Sequence, residues 1–140
     1  MEGGRVGDLE QIVRGAVAIT DRAIAAAGAD LTFVQWRVLL IVGERDEGVS
    51  IGEIAVRIGG HASPASRLIS RLKRRGIVVT AKGELDARVT TVRLTPDGAA
   101  LRTRVLDHRR RELASLLVGV PTLRDQETIA WLARAFGSLA

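Results

Sequence analysis

The apolar residues between Val49 and Leu94 change their period at Gly76, and that change constrains the fold more than anything else in the 140-residue chain. Ahead of Gly76 the spacing is helical. Ser50 and Glu53 stand at the N-cap and N3 positions of a capping box, and Val49 and Ile54 flank them as a hydrophobic staple. Ile51, Ile54, Ala55 and Ile58 form one stripe, and Gly59-Gly60 stops this short helix. In the next run, SPASRLISRLKRRG at 63–76, Ala65, Leu68, Ile69 and Leu72 recur at the i, i+3, i+4, i+7 spacing of a core-facing helix. Beyond Gly76, Ile77–Ala81 and Val89–Leu94 are β-branched runs separated by the polar KGELDA, which predicts a two-stranded hairpin with a long tip. Helix, glycine turn, helix, hairpin is the order of a winged helix-turn-helix.

Further helices flank this unit. Asp8–Ala27 carries Leu9, Ile12, Val13, Ala16, Val17 and Ile24, with Asp8 and Gln11 spaced as N-cap and N3 partner and Gly28 as the stop. Thr32 and Gln35 make a second capping box, Leu31 and Trp36 its staple, and the helix they open runs to about Glu44. Thr95-Pro96 supplies an N-cap and a proline at N1 for a long helix through Leu101, Val105, Leu113, Leu116 and Leu117. Pro121 breaks it, and Thr122 with Asp125 starts a last helix bearing Ile129, Leu132, Phe136 and Leu139. Hydrophobic residues make up 46% of the chain but aromatics only 3%, so the core must be aliphatic, which suits helices. The expected fold is mostly α with a small β-hairpin wing. Residues 1–30 and 96–140 form N- and C-terminal dimerisation helices around a winged helix at 31–95. A winged core needs only about 31–95, so the terminal stripes either fold back on it or, as we expect, pair with their counterparts in a second subunit.

Several function classes drop out. With no cysteine there is no disulfide, thiolate metal site, thiol nucleophile or thiol redox switch, and a reducing compartment is expected. The longest strongly apolar run, Val38–Val42, falls far short of the roughly 20 residues of a membrane span, and no basic-then-apolar leader opens the chain, so a cytoplasmic protein without a membrane partner is expected. There is no glycine-rich phosphate loop, and His61 and His108 sit on separate elements without an adjoining nucleophile and orienting acid, so neither an enzyme nor a cofactor is expected. Asp107, His108 and Glu112 on one charged helix read as solvated side chains rather than metal ligands.

Charge is more telling than composition. Between His61 and Arg111, 13 Lys and Arg face four acids, a local charge of +9, which leaves −4 for the rest of the chain. Such segregation suits a polyanionic partner, although a run such as Arg109–Arg111 can be no more than a solvated face. Opposite the apolar stripe of 63–76 stand Ser63, Ser66, Arg67, Ser70, Arg71 and Arg74, with no acid among them. Ordinary surface helices mix Glu with Lys for i, i+4 support. A helix entering the DNA major groove needs Arg, which can be bidentate to guanine, and hydroxyls that donate or accept. These six residues are the expected DNA-binding set of the helix, and double-stranded DNA the expected partner.

The stretches LTFVQWRVLL, SIGEIAVRIG, SRLISRLKRRGIV and LDARVTTVRLTPDG, in that order, resemble the MarR family of bacterial transcription regulators over about residues 31–100. The flanking helices match in type only. The most specific element is Asp86-Ala87-Arg88 ahead of Leu94-Thr95, similar to the family's wing signature. The resemblance implies a homodimer with interlocked terminal helices, each subunit offering a winged helix to half of a palindromic operator. It also implies that Arg88 reaches into the minor groove while Asp86 restrains or positions it, in keeping with the preference of Arg for narrow A/T-rich minor grooves. The sequence departs from the family at the start of the recognition helix. Members commonly carry Ser-Pro near positions 61 and 62, where His61 and Ala62 stand here, and Ser63-Pro64 follows two residues later.

The reading is therefore a sequence-specific, DNA-binding transcriptional regulator, with repression the expected output. The alternative is a winged-helix dimerisation or protein-interaction module without specific DNA binding, against which Arg67, Arg71 and Arg88 argue. Resemblance further implies release of DNA by a small aromatic or anionic effector in a crevice between the dimer helices and the winged domain. Phe33, Trp36 and Arg37 lie where such a crevice would open, though Phe33 and Trp36 serve a core equally well.

Overall fold

The computed structural model describes residues 2–119 and 122–138. Its elements are α1 (Glu2–Ala26), α2 (Phe33–Val42), β1 (Val49–Ser50), α3 (Ile51–Arg57), α4 (Ala62–Arg74), β2 (Val78–Lys82), β3 (Thr90–Leu94), α5 (Pro96–Leu117) and α6 (Leu123–Gly137). The break assigned to Pro121 and the apolar side chain of Leu139 lie outside the described residues.

The expected caps account for most helix starts. Thr32 accepts from the Gln35 amide while the Gln35 side chain accepts from the Thr32 amide, so the α2 box is complete. At α3 only half the box forms: Ser50 accepts from the Glu53 amide, but the Glu53 carboxylate turns outward to Arg45. Thr95 caps α5 and Thr122 caps α6 through the amides of Gly98 and Asp125. Asp8, by contrast, is not a cap, because α1 begins at Glu2. No proline interrupts residues 2–7, and an exposed Asp within a helix costs only a few tenths of a kcal/mol, roughly, so the helix runs through Asp8 despite Gly3, Gly4 and Gly7.

The sheet has three strands, not the two of the expected hairpin. Its order is β1-β3-β2, all antiparallel, with Val49 opposite Val92 and Thr80 opposite the same Val92 from the other side. A two-residue strand is too short to show a period in sequence. What creates it is tertiary: Val49 and Val92 are both fully buried, and Gly48, at φ 98°, lets the chain pass where a Cβ would strike the carbonyl oxygen of Val92 at 2.8 Å.

Trp36, Leu39, Ile54, Ile69, Leu72, Val78 and Val92 form the centre of one hydrophobic core. That core extends beyond residues 31–95, since Ala23 and Ile24 of α1 and Leu101 and Val105 of α5 are buried in the same cluster. Ile24, Leu101 and Val105 each contribute roughly 1.5–3 kcal/mol when fully buried. α5 is clamped to the end of the helix-turn-helix at Gly98. A Cβ there would lie 2.0 Å from the carbonyl oxygen of Ile77, and Thr95 donates its hydroxyl to the carbonyls of Gly76 and Ile77. α6 buries none of its residues.

Candidate nucleic-acid interface

The glycine turn between α3 and α4 carries Gly59 at φ 71°, a left-handed position that a side chain would strain. It lets α4 cross α3 with Ala65, Ile69 and Leu72 buried and Leu68 half-buried beneath it. The expected stripe is thus the inner face. Ser63, Ser66, Arg67, Ser70, Arg71 and Arg74 are all exposed on the other side.

The structure also divides the basic residues of this run, a distinction without a signal in the sequence. Lys73 donates to Thr80 Oγ1 on β2 at 2.9 Å, and Arg75 donates to the carbonyl of Asp30. Both are tethers within the fold. Arg67, Arg71 and Arg74 make no side-chain hydrogen bond or ion pair among the described residues, so their donors are free for a partner. Ser70 donates to the Ser66 carbonyl and keeps its lone pairs available as acceptors.

His61 is the N-cap of α4 and makes no side-chain cap bond. Ser63 and Pro64 fall at N2 and N3, and the first intrahelical bond is Ala65 N to His61 O at 3.2 Å. The shifted Ser-Pro therefore sits wholly in the first turn, where proline has no helical hydrogen bond to lose. The amides of this turn have no side-chain cap and stand at the positive end of the helix dipole.

At the wing tip the chain closes on itself. Gly83 N donates to Val89 O at 2.8 Å, Val89 N to Asp86 O at 3.0 Å, and Arg88 N to Asp86 Oδ1 at 2.9 Å. Asp86 is thus joined to the backbone of Arg88, and the guanidinium of Arg88 has no hydrogen bond or ion pair among the described residues. Gly83 is required here, because a Cβ would lie 2.7 Å from the carbonyl oxygen of Asp86. Below the tip, Lys82 donates across the strands to Thr90 Oγ1.

The three residues considered for an effector crevice separate. Trp36 is 1% exposed and belongs to the core. Its indole Nε1–H is buried without a hydrogen-bond partner among the described residues, and the guanidinium of Arg109 lies 5.8 Å from its ring centroid. Burial, then the like charges of Arg110 and Arg102, pulls the Arg109 guanidinium below the usual arginine range. Arg37 donates to the carbonyl of Arg57 at 2.7 Å, which makes it a brace between α2 and α3. Phe33 instead lines an open apolar groove of about 590 Å³ with Ile12, Val13 and Val17 of α1 and Ile129 and Phe136 of α6.

Comparison with known proteins agrees with this geometry. Residues 29–89 match the model of the MarR family. The chain is 41% identical over 69 residues to the transcriptional repressor IacR of Pseudomonas putida, a match covering 49% of this chain and 41% of that protein. It spans about half the length of the curated relatives it matches. RV1404 from Mycobacterium tuberculosis superposes with a TM-score of 0.82 at 22% identity, over 95% of this chain and 90% of that one. An S. aureus MepR variant bound to an oligodeoxyribonucleotide superposes with a TM-score of 0.69 at 18% identity, over 97% and 98% of the two chains. With the helix-turn-helix, the wing and its Asp86-x-Arg88 turn in place, the chain is similar over residues 29–89 to the MarR family, and its overall fold is that of the solved winged-helix structures it superposes on.

Proposed function

We propose that this chain is a DNA-binding transcriptional regulator that acts as a homodimer on a palindromic operator, with repression as its output. The observation that carries the reading is the outer face of α4. It presents three serines and three arginines that have no partner among the described residues, it contains no acid, and the buried inner stripe holds it in place. In this reading Arg67 and Arg71, with Ser63, Ser66 and Ser70, meet base edges and phosphates in the major groove, and Arg74 meets the backbone. Arg88, presented by the closed tip, enters the minor groove, and Asp86 fixes the backbone from which it projects.

Dimerisation is supported by what the single chain leaves uncovered. Ile12, Val13 and Val17 of α1 and Ile129 and Phe136 of α6 are each more than 40% exposed around the groove that Phe33 joins, and Trp131 is 58% exposed. An apolar patch of this kind marks an interface, and a two-fold partner would place two α4 helices one helical turn of DNA apart, roughly 34 Å. A small aromatic or anionic effector that releases DNA completes the proposal. Arg109 of α5, without an ion pair among the described residues, is a cation such an anion could meet.

Selection of bound duplexes from a random pool is the direct test. It should return a two-fold-symmetric site whose affinity falls steeply with salt. Asymmetric sites, or binding indifferent to salt, would refute the dimeric regulator.

A further inference from the structure

At the base of the wing, away from the closed tip, a cleft of about 500 Å³ opens between the end of α2, the start of α5 and Arg93 of β3. Three guanidiniums line it, those of Arg45, Arg93 and Arg102, against one carboxylate, that of Asp46. Arg45 is already paired with Glu53. Arg93 and Arg102 have neither an ion pair nor a side-chain hydrogen bond among the described residues, and Nε of Arg102 is buried without any partner. Nearby arginines do find acids: Arg57 is bidentate to both oxygens of Glu44, and Arg22 pairs with Glu112. A guanidinium without an ion pair keeps its outer N–H donors for a partner.

Both unpaired arginines are seated on glycine. A Cβ on Gly43, the C-cap of α2, would come within 2.5 Å of Arg102 Nε, and one on Gly48 would come within 2.7 Å of Arg93 Cγ. Space is thus kept at two backbone positions for two cationic side chains that the fold itself does not neutralise. Val79, Leu94, Pro96 and Ala99 give the cleft an apolar wall.

We propose that this cleft binds a small organic dianion, a phosphate monoester or a dicarboxylate, held between Arg93 on β3 and Arg102 on α5. With Arg45 taken by Glu53, Arg93 and Arg102 are the two guanidiniums left to meet the ligand, Asp46 is the one opposing carboxylate, and guanidinium forks match the oxygens of carboxylate and phosphate. The bound dianion ties the wing to the first turns of α5. This site is separate from the α4 face and from the Arg109–Trp36 contact, and it does not depend on DNA binding.

The test is calorimetric titration and thermal shift of the full chain with methyl phosphate, succinate, inorganic phosphate and acetate, all at one ionic strength set with chloride. Saturable binding of methyl phosphate or succinate, at least tenfold tighter than acetate, is expected, and the stronger of the two arms identifies the ligand type. Arg93→Gln and Arg102→Gln should each weaken it about tenfold, the loss of one charge-assisted contact. Gly43→Ala should do the same by unseating Arg102. Arg104→Gln and Arg109→Gln should leave the titration unchanged, and melting without ligand shows that each variant folds. Binding no tighter than acetate, or binding unchanged in both arginine variants, overturns the proposal. So does dependence on Arg109, which would put the anion against Trp36. If no small dianion binds while Arg93→Gln and Arg102→Gln both weaken random duplex binding, the cleft is a DNA phosphate contact and the proposal fails.

Discussion

Gly98→Ala should destabilise the protein, although alanine is the better helix former. Gly98 is the N3 residue of α5, buried, and its added Cβ would lie 2.0 Å from the carbonyl oxygen and 3.0 Å from the carbonyl carbon of Ile77. Both are backbone atoms next to β2 and cannot rotate away, so α5 must retreat by about 1 Å before the contact becomes tolerable. That retreat stretches the bonds of two donors to the end of the helix-turn-helix: Thr95 N to Ile77 O, and the Thr95 hydroxyl, whose one proton is shared between the carbonyls of Gly76 and Ile77. Losing both at about 1 kcal/mol each outweighs the roughly 1 kcal/mol that alanine gains over glycine within a helix, for a net loss of about 1 kcal/mol. Gly52→Ala is the matched control, since its Cβ would meet nothing nearer than Ser50 Oγ at 3.9 Å, and it should stabilise by about 0.5–1 kcal/mol. Urea unfolding of the two variants reads both values from the midpoints, provided the slopes stay unchanged. Gly98→Ala at or above wild-type stability would show that the contact with Ile77 does not hold α5 in place.

Three further outcomes can be checked. Asp86→Asn should bind duplex DNA like the wild type, because an amide oxygen can still accept from the Arg88 amide, whereas Asp86→Ala should weaken binding modestly and Arg88→Ala most, above all at sites with A/T-rich flanks. If Asp86→Asn is as weak as Asp86→Ala, Asp86 acts through its charge. Hydrogen bonding by Arg57 holds the Glu44 carboxyl below its ordinary range against the opposing effect of burial, so the pair contributes stability above about pH 4.3, the ordinary glutamate value, that is lost as pH falls through the lower folded-state value. Glu44→Gln should flatten that part of the acid unfolding curve, and an unchanged curve would assign acid sensitivity elsewhere. Sedimentation at micromolar concentration should give a dimer, and Phe136→Asp, on the groove shared by α1 and α6, should shift it toward monomer; a monomeric wild type contradicts the proposed assembly.

Much of this protein was legible in the chain because its signals are local. Capping at Thr32, Ser50, Thr95 and Thr122 depends on residues within three positions, and the inward stripe Ala65, Leu68, Ile69 and Leu72 on helical period alone. Sorting the outer face of α4 from the inner needed nothing more. The rest depends on what lies across from a residue. Strand β1 exists because Val49 meets Val92, 43 positions away, and α1 starts at Glu2 although a capping pair stands at Asp8. Lys73 and Arg75 look like Arg71 and Arg74 in sequence, yet Thr80 and the carbonyl of Asp30 tie them into the fold. Gly98 reads as an ordinary helix residue until Ile77 is seen against it, and Arg93 and Arg102 become neighbours only when β3 and the start of α5 enclose one cleft. Helical and strand periods are written into the order of side chains along the chain, so sequence alone determined which faces turn inward. Close approach of backbones and the partnering of charges depend on distances between segments far apart in the chain, which only the folded packing decides.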